Sequence, residues 1–174
     1  MTTLDGKPKE IGWGERIEAG LVDYAPLRSS RDEAAERAAY VAAARSWIGT
    51  PFHDNASVKG VGVDCAQLVR AAALETGLRE IEPTGEYSPQ FMLHRDAEIL
   101  VTFIKRYAVE IEADKAREGD LVVYKIGRVF AHVAILTGPG TIIHAHKQTG
   151  MVCEAKIDGY DLAGRERRYF SPWG

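Results

Sequence analysis

The sequence predicts an α+β domain in which N-terminal helices pack on an antiparallel β-sheet. Three observations carry the prediction. Apolar residues recur at helical spacing through the first two-thirds of the chain, the pattern changes to period two from Gly119 onward, and Gly138-Pro139-Gly140 marks a turn between two alternating segments. Helices first and antiparallel strands after is the order expected of an α+β fold. A chain of 174 residues can bury its own core, and 45% hydrophobic against 27% charged residues is a globular composition.

Residues 1–29 are polar and glycine-rich, with isolated apolar side chains at Ile11, Trp13, Ile17, Leu21 and Tyr24. They read as an extension lying on the domain or on a partner, or as a flexible tail, with the domain proper over 30–174. Ser30-Arg31-Asp32-Glu33 forms a capping box that starts a first helix at Arg31. Ala34, Ala38, Val41, Ala42, Arg45 and Ile48 follow at helical spacing until Gly49 and Pro51 stop it. A second helix is expected over 65–76, closed by Gly77, with Leu68, Val69, Ala72 and Ala73 on its apolar face. Ser88-Pro89 opens a third, whose stripe is Met92, Ile99, Leu100, Phe103, Ile104 and Tyr107; His94 lies on its surface. Strands are expected at 120–126, 129–137, 140–146, 150–157 and 165–170. Loop 49–63 lies beside the start of the second helix, and 77–88 is expected to wall a groove.

The chemistry concentrates at Asp64-Cys65, where the glycine-rich run Lys59-Gly60-Val61-Gly62-Val63 becomes a helix. A thiol at a helix start feels the positive end of the helix dipole, which favours the nucleophilic thiolate. Asp64 is placed to cap that helix. A general base is available on the strands. A hairpin centred on Gly138 opposes His132 to His144, and directly opposite residues have Cβ atoms about 4.5–5.5 Å apart. His132 would then be the base and His144 the group that orients it. A two-residue Pro139-Gly140 turn would instead oppose His132 to Lys147 and break the pair. His146 shares a face with His144 as a rim residue, and His53 is a candidate for the rim beside Cys65. The glycines permit close approach of a substrate backbone, and the Cys65 N–H can point at a developing oxyanion.

These residues resemble the NlpC family of bacterial cell-wall cysteine peptidases, with a papain-like arrangement. The resemblance runs from about Ala42 to Ile157. It rests on Trp47-Ile48-Gly49-Thr50-Pro51-Phe52, Gly62 to Cys65, Gly119-Asp120-Leu121-Val122, Ala131-His132-Val133-Ala134-Ile135 and Ile142-Ile143-His144-Ala145, all in the family's order. The resemblance implies the papain-like NlpC fold, Cys65 as nucleophile, His132 as base and His144 as orienting residue. It also implies cleavage of peptidoglycan stem peptides, commonly between D-γ-glutamate and a diamino acid, with Asp64 able to anchor a stem peptide's free amine. Two departures stand out. Ala66-Gln67 follow the cysteine where the family usually has Ser-Gly, and Phe52-His53 stand where a tyrosine hydroxyl usually serves substrate or oxyanion. Phe52 therefore contributes a ring without a donor, and His53 or Asn55 could replace the hydroxyl. Pro-aromatic-His before Gly-Val-Asp-Cys is similar to the peptidases of phage tails and gene transfer agents.

Composition and charge exclude several alternatives. A formal net charge of −3 argues against nucleic acid as a partner, and Arg165, Arg167 and Arg168 read as the polar face of the last strand. The N-terminus has no basic stretch followed by an apolar run, so no secretory signal is expected, and no segment approaches the ~20 apolar residues of a membrane span. Such a protein would be made in the cytoplasm and carried to the cell wall on a virion-like tail, with residues 1–29 contacting tail or baseplate proteins. Two distant cysteines make no disulfide framework, and Cys153 reads as a sheet residue. Residues 59–63 lack the Walker pattern of a phosphate cradle. Cys65, His132, His144 and His146 include zinc-type ligands, but no pair has the usual close spacing. No metal and no cofactor are expected. A non-catalytic, wall-binding tail component and, behind it, a zinc-dependent amidase are the alternatives.

Overall fold

The computed structural model of the protein describes residues 32–78 and 99–174. The extension over 1–29, the Ser88 cap, His94 and most of segment 77–88 lie outside the described residues. Helix α1 spans Glu33–Arg45. Its cap is Asp32 rather than Ser30: Asp32 Oδ1 accepts the Ala34 N–H at 3.0 Å, and a carboxylate there also meets the positive end of the helix dipole. The helix ends at Arg45, short of Ile48, because the chain turns away to the sheet and the Gly49 N–H bonds Val152 O. Helix α2 spans Cys65–Thr76 as the sequence predicts, with Asp64 at its N-cap and Gly77 at φ 65° closing it in the left-handed conformation that favours glycine. Helix α3 is described over Ile99–Ile104, so its regular part stops before Tyr107.

Two short strands, β1 (Ser57–Val58) and β2 (Gly62–Val63), form a hairpin inside loop 49–63. The main sheet holds β3 (Val109–Ile111), β4 (Leu121–Ile126), β5 (Val129–Gly138), β6 (Thr141–His146), β7 (Met151–Lys156) and β8 (Arg167–Ser171). It is antiparallel throughout, in the order β3-β8-β4-β5-β6-β7. The five predicted strands are present with ends moved by at most two residues. Strands β1, β2 and β3 were not predicted, because two or three residues carry no readable alternation.

The sheet is covered on both faces. Val123, Val133, Ile135, Ile143, Ala145 and Val152 pack with α1, α2 and α3. On the other face, Val122, Tyr124, Ala134, Leu136 and Ile142 pack with Leu162, which belongs to a 3-10 turn over Tyr160–Leu162. Strand β5 is therefore buried almost throughout rather than alternating in and out. Helix α1 is tied to the sheet through Arg37. Its guanidinium bonds Asp120 Oδ1 at 2.8 Å and the Glu118 carbonyl at 2.7 Å, and lies 4.1 Å from the centre of the Trp173 ring. The second Asp120 oxygen accepts the Arg117 N–H at 2.8 Å. The Gly119-Asp120 motif thus fastens helix to sheet.

The β5–β6 hairpin differs from its predicted register. The turn is the two-residue Pro139-Gly140 form, with Gly138 opposite Thr141. That turn alone would have carried His144 to the wrong face. A bulge between Leu136 and Gly138 adds one residue, so Leu136 faces Ile142 and Ile135 faces Ile143. One extra residue flips the face of everything beyond it, and here it returns His132 and His144 to a common face. Thr137 Oγ1 donates to Thr141 Oγ1 at 3.0 Å across this bulge.

Candidate active site

Cys65 comes from the helix layer, as the first residue of α2. His132, His144 and His146 share the opposite face of the sheet with Ala134 and Ile142. The two sets approach each other where the β5–β6 ladder stops. Its pairing runs from Gly138/Thr141 to Ile135/Ile143 and no further. Beyond that point the Cys65 sulfur lies near enough to the Val133 N–H, one residue from His132, for that dipole to pull on the thiol. The start of α2 therefore fills a split between two strands.

His132 Nε2 and His144 Nδ1 lie 2.9 Å apart. They are not directly opposite: continued, the register would put His146 across from His132. The contact is diagonal, a spacing of about 7–8 Å between Cα atoms that long or ring side chains can bridge. His144 is fully buried, and among the described residues its Nε2 has no partner. His132 keeps Nδ1 for another group. His146 is also buried; its Nε2 lies 2.9 Å from Asp161 Oδ1, and its ring stacks on that of His144 with centres 4.8 Å apart.

The electrostatics differ from the sequence expectation. The N–H groups of Val133, Ala66 and Cys65 do pull the thiol down, as a helix start should. Burial outweighs them, with the Asp64 charge adding to it, and pushes Cys65 up to about 12. Burial, followed by the neighbouring His144 and His146 rings, pushes His132 down to about 3. Burial and then His146 push His144 down to about 4. At neutral pH the resting site is a neutral thiol beside neutral imidazoles. Burial is invisible in sequence, which is why the helix-dipole argument pointed the other way.

Asp64 is 3% exposed, and its oxygens are already engaged. Oδ1 accepts the Gln67 N–H at 2.9 Å, and Oδ2 accepts the Asn55 N–H at 2.7 Å. Asn55 presents that N–H from a left-handed conformation, φ 59°, which asparagine tolerates. Phe52 is half-buried beside the site. Its N–H bonds Gly150 O at 2.7 Å, its backbone bridges to Val63, and Lys147 Nζ lies 5.7 Å from its ring centre. His53 is exposed and its ring rests on Gly62, where a Cβ would come within 2.7 Å of it. Sequence reasoning treated His146 as rim; its burial and its bond to Asp161 had no local signal, since Asp161 lies fifteen residues away on another segment.

Among the described residues no three His, Cys, Asp or Glu side chains are gathered as they would be round a metal ion. Cys65 and Cys153 are free thiols. No described helix is long and apolar enough to cross a membrane.

A cysteine at a helix start, set against histidines on an antiparallel sheet, places the domain in the papain-like α+β class. Residues 47–163 match the NlpC/P60 family, and the chain belongs to that family. Among solved structures, the NlpC/p60 domain of the peptidoglycan hydrolase SagA is 26% identical with a TM-score of 0.55, covering 76% of this chain and 96% of that domain. The peptidoglycan hydrolase RipB from Mycobacterium tuberculosis is 20% identical with a TM-score of 0.59, covering 91% and 77%. RipD from the same organism, a non-catalytic NlpC/p60 domain protein adapted to peptidoglycan binding, is 18% identical with a TM-score of 0.53, covering 78% and 95%. No curated protein matches the sequence.

Proposed function

We propose that the protein is a cysteine peptidase that hydrolyses peptidoglycan stem peptides. One observation carries the reading: the Cys65 sulfur is held one residue from His132, whose far nitrogen is bonded to His144. With Nε2 engaged by His144, His132 accepts the thiol proton on Nδ1. The Cys65 sulfur then forms a bond to the amide carbonyl carbon, and the carbonyl oxygen takes up negative charge near the Cys65 N–H. His132 returns the proton to the leaving nitrogen as the C–N bond breaks. Water, deprotonated by His132, releases the acyl group and restores the thiol. A neutral resting pair makes thiolate formation part of the reaction rather than a property of the free enzyme.

The bond between D-γ-glutamate and the diamino acid is the proposed target. Delivery on a phage-like tail or baseplate, with residues 1–29 as the attachment surface, is the proposed setting; the similarity of the Pro-aromatic-His and Gly-Val-Asp-Cys segments to tail peptidases supports it. Asp64, Phe52 and His53 are the proposed substrate contacts, Asp64 acting through the loop it fastens. Phe52, which has no hydroxyl, favours a second reading as a wall-binding domain without catalysis.

Incubation of the protein and its Cys65→Ser form with muropeptides under reducing conditions, followed by mass spectrometry, tests both. Cleavage by the wild type alone, with activity lower by about 10³-fold or more in the variant, is expected. Binding without cleavage by either form would establish the second reading.

A further inference from the structure

His144 is poorly fixed by its own bonds. It is completely buried, it has one hydrogen bond, to His132, and its Nε2 has no partner among the described residues. A ring with one polar contact can rotate about its Cβ–Cγ bond and exchange tautomers, and either motion spoils the hydrogen bond that aims His132. The structure supplies another restraint. The His146 ring lies almost parallel to His144, 4.8 Å between centres and 20° between planes. Tyr160 covers the other side of His146 at 4.8 Å and 28°.

His146 itself is held at both nitrogens. Its Nδ1 accepts the Thr149 N–H at 3.4 Å, so its proton sits on Nε2 and is donated to Asp161 Oδ1 at 2.9 Å. The other Asp161 oxygen accepts from Arg165 at 3.1 Å. Tyr160 has an unusual backbone for a non-glycine residue, φ 54°, and remains 56% exposed. Strain of this kind persists where the surroundings over-determine it. Leu162, 1% exposed, anchors the same turn in the second core.

We propose that His146, held by Asp161, is a positioning residue that locks the His144 ring in place behind His132. The turn over Tyr160–Leu162 is then part of the catalytic machinery, though it touches no reacting atom. The catalytic meaning rests on the peptidase reading above; the restraint on His144 does not. Charge balance fits the role. The negative Asp161 carboxylate behind His146 favours the positive charge that His132 acquires on taking the proton from Cys65.

The test compares His146→Ala, His146→Phe and Asp161→Asn in the full chain by ¹⁵N–¹H spectra of the imidazole rings and by muropeptide kinetics. The wild type should show His144 in one tautomer with a slowly exchanging proton shared with His132. His146→Ala should show averaged His144 nitrogens and a kcat lower by roughly 10²-fold, the cost of misplacing a catalytic group, with KM unchanged. His146→Phe keeps a stacking ring and should recover much of that loss. Asp161→Asn, at a half-exposed position, should lie between and covers the case in which His146→Ala does not fold. A wild-type His144 spectrum reproduced by Asp161→Asn and by any folded His146→Ala protein would overturn the proposal. A wild type that cleaves nothing while its His144 spectrum responds to these variants would overturn the peptidase reading and leave the restraint standing.

Discussion

The buried polar clusters around Arg37 and around His132 are built on opposite principles. Around Arg37 every charge is matched: the guanidinium makes hydrogen bonds to Glu33, Glu118 O, Asp120 and Ser171 and is faced by the Trp173 ring. Around His132 the rings of His132 and His144 are held neutral, one buried nitrogen, His144 Nε2, lacks a partner among the described residues, and the strand ladder is interrupted. The first cluster has no proton to move. The second has hydrogen-bonding capacity left over and a thiol beside it. The His132 cluster keeps hydrogen-bonding capacity that the Arg37 cluster has spent, and that difference separates a group able to move a proton from one that only holds the fold.

The comparison can be broken most directly at its two centres. His132→Ala should lower muropeptide hydrolysis by about 10³-fold or more while leaving the urea midpoint close to that of the wild type. Asp120→Ala should do the reverse. It strands the Arg37 charge, and a loss of about 3–5 kcal/mol is expected in equilibrium denaturation, with kcat of the protein that remains folded little changed. Equal effects of both variants on both readouts would erase the distinction.

Acid should act on the histidine cluster early. His132 and His144 are held neutral, near 3 and 4, below the ~6.5 of an unfolded histidine. The unfolded chain therefore binds these protons first. Their contribution is fully present above about 6.5 and is lost as pH falls through 4 towards 3. Urea midpoints measured from pH 7 downward should already decline between 6.5 and 4.5, and His144→Asn should flatten that part of the curve. Carboxylates held low by arginine act later: Glu110, brought to about 2 chiefly by its hydrogen bond from Arg168, loses its contribution only below the ordinary carboxylate range. The smallest expected effect is Trp173→Phe. It weakens the ring contact to Arg37 and removes the hydrogen bond to Glu36, for about 1 kcal/mol in the same denaturation assay.

Much of this was legible in the sequence. Helix α2 could be placed to the residue because its cap and its closing glycine are local, and strands β4 to β8 follow from alternation. The order of the family motifs led to the right family. What could not be read was set by contacts distant in sequence. The hairpin shows this best: the turn was the form expected to misplace His144, and the bulge at Thr137 corrected it, a compensation that no local pattern announces. The high thiol pKa reflects burial under several elements, and the clamp on His144 comes from a turn that follows β7.

The split between β5 and β6 has a consequence beyond placing the thiol. The amide of Val133 would ordinarily find its acceptor on a neighbouring strand; here, where the ladder has ended, it faces the Cys65 sulfur. That one amide is coupled to whatever happens to Cys65. Shortening the side chain to serine, oxidising it or alkylating it should each change the exchange rate and chemical shift of the residue 133 N–H, before any change in secondary structure. The backbone thus carries a built-in gauge of the thiol's chemical state, readable in the resting protein with no substrate present.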